Sequence, residues 1–198
     1  MTPLARHAGP VAATAGTLFA TTHLGLYSVM DRTDLVAMSA DPAFRAANIS
    51  YAATFPFLLI AIVALYERQG SAAGRAGTVG FCAAVVGTFV LGANMWFEAF
   101  AVPWLVEAVP QVLTVEKALI WQFGFYSSYL LFALGWVLFG IGCLRARIVP
   151  RALALAVLAA GVVGFWAGMP PFGVPLGLAI AAIGAWLVRA GRAVELAA

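Results

Sequence analysis

The chain has 198 residues, of which 64% are hydrophobic and only 10% are charged, and its mean hydropathy is +0.98. This composition excludes an ordinary soluble domain. The long apolar runs lack the two-residue alternation of barrel strands, so we expect α-helices, whose backbones satisfy their own hydrogen bonds in lipid. The net charge of +3 does not require a nucleic-acid partner, because the arginines flank the apolar runs, where anionic lipid headgroups lie.

Taken in chain order, the charge-free windows predict a single transmembrane domain, 1–198, built as a six-helix all-α bundle. The last window, 152–188, has 37 residues. As one helix it would be about 55 Å long, well beyond the ~30 Å hydrocarbon core. It must therefore turn, and the stretch rich in proline and glycine at 169–175 predicts a hairpin. The helices are predicted at 9–30, 47–66, 76–101, 118–143, 152–168 and 174–190.

The distribution of basic residues predicts the orientation of these helices, since such residues concentrate in cytoplasmic loops. With the N-terminus inside, eight arginines fall in cytoplasmic segments and three basic residues fall outside. The inner residues are Arg6, Arg68, Arg75, Arg145, Arg147, Arg151, Arg189 and Arg192, and the outer ones are Arg32, Arg45 and Lys117. We therefore expect a multi-pass protein of the cell inner (plasma) membrane, in contact with membrane lipids, with both termini cytoplasmic.

The outer loop between the third and fourth helices is unusually apolar for a solvated segment. It reads Pro-Trp-Leu-Val-Glu-Ala-Val-Pro over 103–110. We expect this loop to lie on the membrane interface or to fold down over the bundle as a lid.

Small residues inside the helices predict faces where two helices pack closely, because glycine lets backbones approach. These residues are Gly77, Gly80, Gly87, Gly161, Gly164, Gly177 and Gly184.

Polar residues within apolar helices are costly in lipid and point to a candidate site. Asn94 and Glu98 lie one turn apart among bulky apolar residues on the third helix, where a carboxyl can donate or accept a proton. His23 falls in the same outer half of the first helix. We take Glu98, Asn94 and His23 as candidate catalytic residues. The alternative is that Glu98 reaches the outer interface and that His23 packs between helices.

Aromatic and hydroxyl side chains from four helices also fall in the outer half, which predicts a polar-aromatic pocket for an apolar ligand. On the fourth helix Gln122, Tyr126 and Tyr129 share one stripe. Pro56 should kink the second helix and open room for a cavity. The same residues can instead serve as interfacial anchors and packing groups. The candidate ligand-binding residues are Tyr27, Tyr51, Thr54, Trp96, Trp121, Gln122 and Tyr126.

Several chemistries lack the residues that they need. Lys117 is the only lysine and lies at a helix edge, which disfavours a buried Schiff base. His7 and His23 fall on opposite sides of the membrane, so a bis-histidine haem does not fit. No Cys/His cluster with zinc-ligand spacing occurs, and Asp31 and Asp34 are best interpreted as solvated loop charges. We predict no metal and no cofactor.

Three functions fit these observations. The first is a membrane protein that binds, senses or moves a small apolar or lipid-like molecule. The second is a membrane-embedded acid/base enzyme of isomerase or cyclase type, with Glu98 as proton donor or acceptor. The third is a structural subunit of a membrane complex, as a homo-oligomer or beside a partner subunit. Convergence of the polar residues on a closed chamber favours the enzyme, whereas a lateral opening favours lipid binding.

Overall fold

The computed structural model describes residues 2–166 and 170–196, with side chains as far as residue 191. All regular elements among these residues are helical. Short 3₁₀ turns occupy Gly70–Ala73, Pro110–Leu113 and Gly164–Trp166. The α-helices are α1 (Pro3–Arg6), α2 (Ala8–Val29), α3 (Leu35–Ala40), α4 (Pro42–Ala52), α5 (Thr54–Gln69), α6 (Gly74–Ala108), α7 (Leu119–Ala146), α8 (Arg151–Val163) and α9 (Val174–Leu196).

Three helical stretches among the described residues are long and apolar enough to cross a membrane: Pro42–Ala108, Leu119–Ala146 and Val174–Gly191. The chain is therefore an all-helical membrane protein. The first stretch is not one straight rod, because it turns at Gly70 and Gly74, where φ is positive at 54°. Both positions require the left-handed freedom of glycine.

Two aspartates cap the N-termini of the two helices that follow α2. Asp34 accepts hydrogen bonds from the backbone N–H groups of Val36 and Ala37, and so caps α3. Asp41 caps α4 in the same way, with Pro42 at the first helical position. Because of these caps, helical structure begins at Pro42, whereas the sequence analysis starts its second helix at 47.

The region predicted as one helix at 47–66 is two helices in the structure. α4 ends at Ala52 and α5 begins at Thr54. Pro56 has no backbone N–H, so it cannot donate to the carbonyl of Ala52, and the helical ladder is interrupted there.

The prediction of a lid-like loop over 103–110 is wrong, because α6 continues as a helix to Ala108. Val106 is buried, and Glu107 pairs with Arg45 of α4 at 2.8 Å. The end of α6 is thus held against its neighbours, which stabilises helix over loop. The connection to α7 begins only at Val109.

The hairpin predicted at 169–175 lies partly outside the described residues, which resume at Pro170. Residues 170–173 form a turn that leads into α9. The guanidinium of Arg32 donates a hydrogen bond to the carbonyl of Pro170 at 3.2 Å. The turn is therefore tied to the connection between α2 and α3.

The long helices form a closed ring. α2 packs on α5, α5 on α6, α6 on α7, α7 on α8, α8 on α9, and α9 packs back on α2. Glycines bring the tightest pairs together: a Cβ at Gly16 would overlap the backbone of Ala181, and one at Gly87 would overlap the carbonyl of Leu131. The close packing predicted for Gly80, Gly87, Gly161, Gly177 and Gly184 is confirmed, since a Cβ at each would lie within 3.0 Å of backbone atoms of another helix.

Aromatic side chains fill the centre of the ring. Phe19 of α2 and Phe55 of α5 meet edge to face with ring centroids 5.7 Å apart, and Phe55 lies 6.2 Å from Phe132 of α7. Trp136 and Phe139 continue this column along α7. The column leads at one end to Tyr51 and His23, where the candidate site begins.

Candidate functional site

His23 is fully buried near the end of α2, and three contacts fix its ring. Nδ1 lies 3.1 Å from the carbonyl oxygen of Phe19. Because a carbonyl oxygen can only accept, Nδ1 carries the hydrogen in this contact. The ring stands edge-on to Tyr51 at 4.4 Å, and its Nε2 side faces the backbone of Gly173, where a Cβ would overlap the imidazole.

Glu98 lies beside two buried phenols from other helices. Tyr51 of α4 and Tyr129 of α7 both interact electrostatically with the Glu98 carboxyl of α6, and with each other. Glu98 is itself half-buried. Tyr51 also stands edge-on to the ring of His23, with the ring centroids 4.4 Å apart.

Asn94 extends this cluster by one turn of α6. Its Nδ2 donates to Oγ of Ser128 on α7 at 3.2 Å, and that hydroxyl donates in turn to the carbonyl of Phe125 at 2.7 Å. Asn94 thus joins α6 to α7 directly below Glu98. Asn94 and Glu98 lie one turn apart on α6, and His23 contacts Tyr51 on the neighbouring α4.

The candidate ligand-binding residues divide into two groups. Tyr51 and Thr54 are buried, and the Thr54 hydroxyl donates to the carbonyl of Tyr51 at 2.6 Å. The other aromatic residues lie on the outside of the bundle, where the exposed fractions are 53% for Tyr27, 51% for Trp96, 44% for Trp121 and 52% for Tyr126. The buried group belongs to the Glu98 cluster, whereas the outer group faces the surroundings of the protein.

A large lateral groove runs along the outward face of α7. Its volume is about 870 Å³. Its walls are apolar except for three hydrogen-bonding side chains, those of Gln122, Tyr126 and Ser127. The groove is lined by Leu119, Ile120, Gln122, Phe123, Tyr126, Ser127, Leu130 and Phe165.

The polar atoms in this groove offer mostly acceptors. Gln122 Nε2 donates to the carbonyl of Lys117 at 2.9 Å, and the Ser127 hydroxyl donates to the carbonyl of Gly124 at 3.0 Å. The amide oxygen of Gln122 and the lone pairs of Ser127 thus remain as acceptors, while the second N–H of Gln122 and the phenol of Tyr126 remain as donors. An apolar molecule with a hydroxyl or carbonyl group suits this set.

A smaller cleft of about 10 Å³ adjoins the groove. Phe125, Tyr126, Tyr129, Phe165 and Trp166 line it, so it shares Tyr126 and Phe165 with the groove. Its inner wall is Tyr129, which interacts with Glu98. The outer groove and the Glu98 cluster are therefore neighbours.

Comparisons with protein-family models, curated proteins and solved structures found no match. The function is therefore argued from geometry alone.

The two loop carboxylates considered as metal ligands serve the local backbone. Asp31 accepts from the hydroxyl and the N–H of Thr33 at 2.7 and 2.9 Å, and these hydrogen bonds lower the pKa of Asp31 below its ordinary value. Asp34 caps α3. Among the described residues, no group of three or more His, Cys, Asp or Glu side chains is arranged to hold a metal ion.

Sequence reasoning placed Tyr129 on the pocket stripe without choosing it as a candidate ligand-binding residue, and it assigned no site role to Ser128, Ser127 or Phe165. Tyr129 and Ser128 are recognised only from burial in the structure, because α7 is apolar on all its faces, and its buried residues recur at a spacing of three to four. That pattern, Ser128, Tyr129, Phe132, Trp136 and Phe139, identifies the inward face. Phe165 belongs to another segment, and only the packing of α8 on α7 brings it to the groove.

Proposed function

We propose that this chain binds a lipid-like apolar molecule in the lateral groove of α7. The observation that carries the proposal is the groove itself, which is apolar, opens sideways and has hydrogen-bonding groups only from Gln122, Tyr126 and Ser127. A site that opens towards the hydrocarbon is reached by ligands dissolved in the membrane. The small molecule enters with its chain against Leu119, Phe123 and Leu130, and its polar group at Gln122 or Tyr126.

The proposal includes six crossings in the cell inner (plasma) membrane with both termini cytoplasmic. Contacts at the two ends of the ring support it. At one end the hydroxyl of Thr2 donates to Glu67, and Gln69 donates to Cys143. At the other end Arg45 pairs with Glu107, near the connection that Arg32 ties to Pro170. The segments assigned to the cytoplasm by their arginines thus meet at one end, and the outer segments meet at the other.

Native mass spectrometry tests the binding function, with extraction and identification of the compounds retained by protein purified in mild detergent. We expect wild type to retain a specific apolar compound and Tyr126→Ala to retain at least about tenfold less, because an aromatic wall of the site is lost. Tyr27→Ala is the matched control, since the exposed fractions of Tyr27 and Tyr126 are 53% and 52%. Retention of the same bulk lipids by all three proteins would refute the proposal.

A second candidate, a membrane-embedded acid/base enzyme, is favoured by the position of Glu98, half-buried and one turn from Asn94 on α6, which hydrogen-bonds to Ser128. In this version the groove is the entrance, and Glu98 exchanges a proton with a substrate at the inner end of the cleft. The same experiment includes Glu98→Gln and Asn94→Ala. If Glu98→Gln retains a chemically different compound from wild type, the enzyme is supported. If both carry the identical compound, simple binding is supported instead.

A further inference from the structure

A second groove lies on the opposite side of α6, between α5 and α6. Its volume is about 230 Å³, far smaller than that of the α7 groove. Phe55, Phe89 and Trp96 provide aromatic walls, and no charged residue lines it. At its base α5 and α6 approach closely, since a Cβ at Gly92 would lie 2.8 Å from Cβ of Phe55.

Thr88 gives this groove an unusual polar feature. Its side chain is fully buried and lines the groove, yet its hydroxyl has no hydrogen-bond partner among the described residues. A threonine in a helix normally donates to a carbonyl one turn earlier. A buried hydroxyl without a partner costs free energy, which a ligand that hydrogen-bonds to it would recover.

Pro56 leaves the backbone carbonyl of Ala52 without its helical donor, and this carbonyl is an acceptor that complements the hydroxyl of Thr88. Ala52 and Pro56 both line the groove. Because Pro56 has no N–H, the carbonyl of Ala52 lacks the donor that it would have in a continuous helix. The groove therefore combines a free hydroxyl on α6 with a backbone carbonyl on α4 that has lost its usual helical partner.

We infer that the groove between α5 and α6 is a binding site for a single-chain apolar alcohol, whose hydroxyl accepts from Thr88 and donates to the carbonyl of Ala52. One hydroxyl group satisfies both, since it carries one donor and two lone pairs. The chain of the alcohol lies against Phe55, Phe89 and Trp96. The small volume favours one chain over the two chains of a diacylglycerol. This site is independent of the α7 groove, with which it shares no residue.

Photolabelling tests this site in phosphatidylcholine nanodiscs, whose lipid has no hydroxyl group. The probe is a twelve-carbon primary alcohol that carries a diazirine, and the comparison probe is the alkane of the same length with the same diazirine. Labelled residues are located by mass spectrometry. We expect the alcohol to label Phe89 and Trp96 about fivefold more than the alkane, the gain of one net hydrogen bond. Dodecanol should compete for this labelling, and diacylglycerol should not.

Substitutions identify the hydroxyl that is responsible. Thr88→Val, of nearly equal shape, should reduce the preference for the alcohol over the alkane, because only the hydrogen bond to the carbonyl of Ala52 remains, whereas Thr88→Ser should keep the full preference. Thr17→Val removes an exposed hydroxyl on α2 and should change nothing. Tyr126→Ala should also leave this labelling intact, so that failure here is distinguishable from failure of the α7 site.

Equal labelling by alcohol and alkane in wild type would overturn the inference, and this comparison needs no variant. An unchanged preference in Thr88→Val would overturn it as well. Competition by diacylglycerol as strong as that by dodecanol would overturn the choice of a single-chain ligand.

Discussion

At Gly173 the absence of a side chain decides where the His23 imidazole can lie. The ring fills the space that a Cβ would occupy, while Nδ1 is held by the carbonyl of Phe19 and the edge by Tyr51. Gly173 thus lets the turn before α9 pack directly against the end of α2. Any larger residue at 173 must move either the ring or the turn.

Gly173→Ala should lower the free energy of unfolding by about 1–3 kcal/mol, because the added methyl group forces the buried imidazole to shift. The measurement is thermal unfolding in a fixed detergent. The control is a double-mutant cycle with His23→Ala, which vacates the space for the methyl group. The cost of Gly173→Ala should fall clearly in that background. An equal cost in both backgrounds would show that His23 is not the group displaced.

Residue identity in the sequence led to the choice of Glu98, Asn94 and His23, because polar groups stand out in apolar helices, and their catalytic role stays a prediction. It was not enough to separate Tyr51 from Tyr27. Both are tyrosines in the same predicted half of the membrane, yet Tyr51 is buried and Tyr27 is half-exposed. Which face of a helix points inward depends on its neighbours, and the nearly uniform hydrophobicity of these helices removes the periodic signal that would reveal it.

At the scale of elements, α6 and α7 form the closest antiparallel contact around the site. Gly80 and Gly87 of α6 lie against the carbonyls of Leu138 and Leu131, and Gly135 of α7 lies against the carbonyl of Ala83. Glycines from both helices thus let the two backbones approach. This register holds Asn94 opposite Ser128 and Glu98 beside Tyr129.

Gly87→Ala should therefore destabilise the protein by about 1–3 kcal/mol, since the new Cβ would collide with the carbonyl of Leu131. Gly25→Ala is the matched control, because nothing lies within 4 Å of a Cβ there. Alanine has the higher helix propensity, so this control should be neutral or stabilising by up to about 1 kcal/mol. Melting temperatures measured in the same detergent compare the two. A similar loss for both substitutions would contradict the close approach at Gly87.

Sequence patterns predicted where the helices lie better than they predicted where each helix begins and ends. The glycines of α6 and α9 identified packing faces, since only a close neighbour explains so many small residues in lipid. The extent of α6 could not be obtained in this way. The sequence analysis ended the third helix at 101 and predicted a loop over 103–110, but the burial of Val106 and the pairing of Glu107 with Arg45 extend the helix to Ala108. Such contacts come from distant parts of the chain.

For the whole molecule, the ring of helices and the two sets of end contacts lead to a test of the proposed topology. Cys82 and Cys143 are first replaced by serine, and single cysteines are placed at exposed positions with Thr33→Cys, Ser71→Cys, Thr114→Cys and Ala152→Cys. A maleimide that does not cross membranes should label positions 33 and 114 in intact cells. Positions 71 and 152 should react only after permeabilisation, because they lie at the opposite end.

The labelling results distinguish a wrong orientation from a wrong number of crossings. If positions 71 and 152 were labelled in intact cells and positions 33 and 114 were not, the orientation would be reversed and the number of crossings would stay the same. Labelling of 33 without 114, or of 71 without 152, would refute the six crossings themselves. Both properties need this test, because among the described residues three helical stretches are long and apolar enough to cross a membrane.

The seam between α2 and α9 also bears on how the protein is made. Gly16 and Gly177 meet across this seam, but about 160 residues separate them along the chain. At roughly 5–20 residues per second, a ribosome needs on the order of 10–30 seconds to synthesise that stretch. Throughout that interval the small-residue face of α2 has no native neighbour. The nascent chain is therefore open to chaperones and membrane proteases until its last helix arrives, and substitutions at this seam should reduce the yield of protein more than its function once folded.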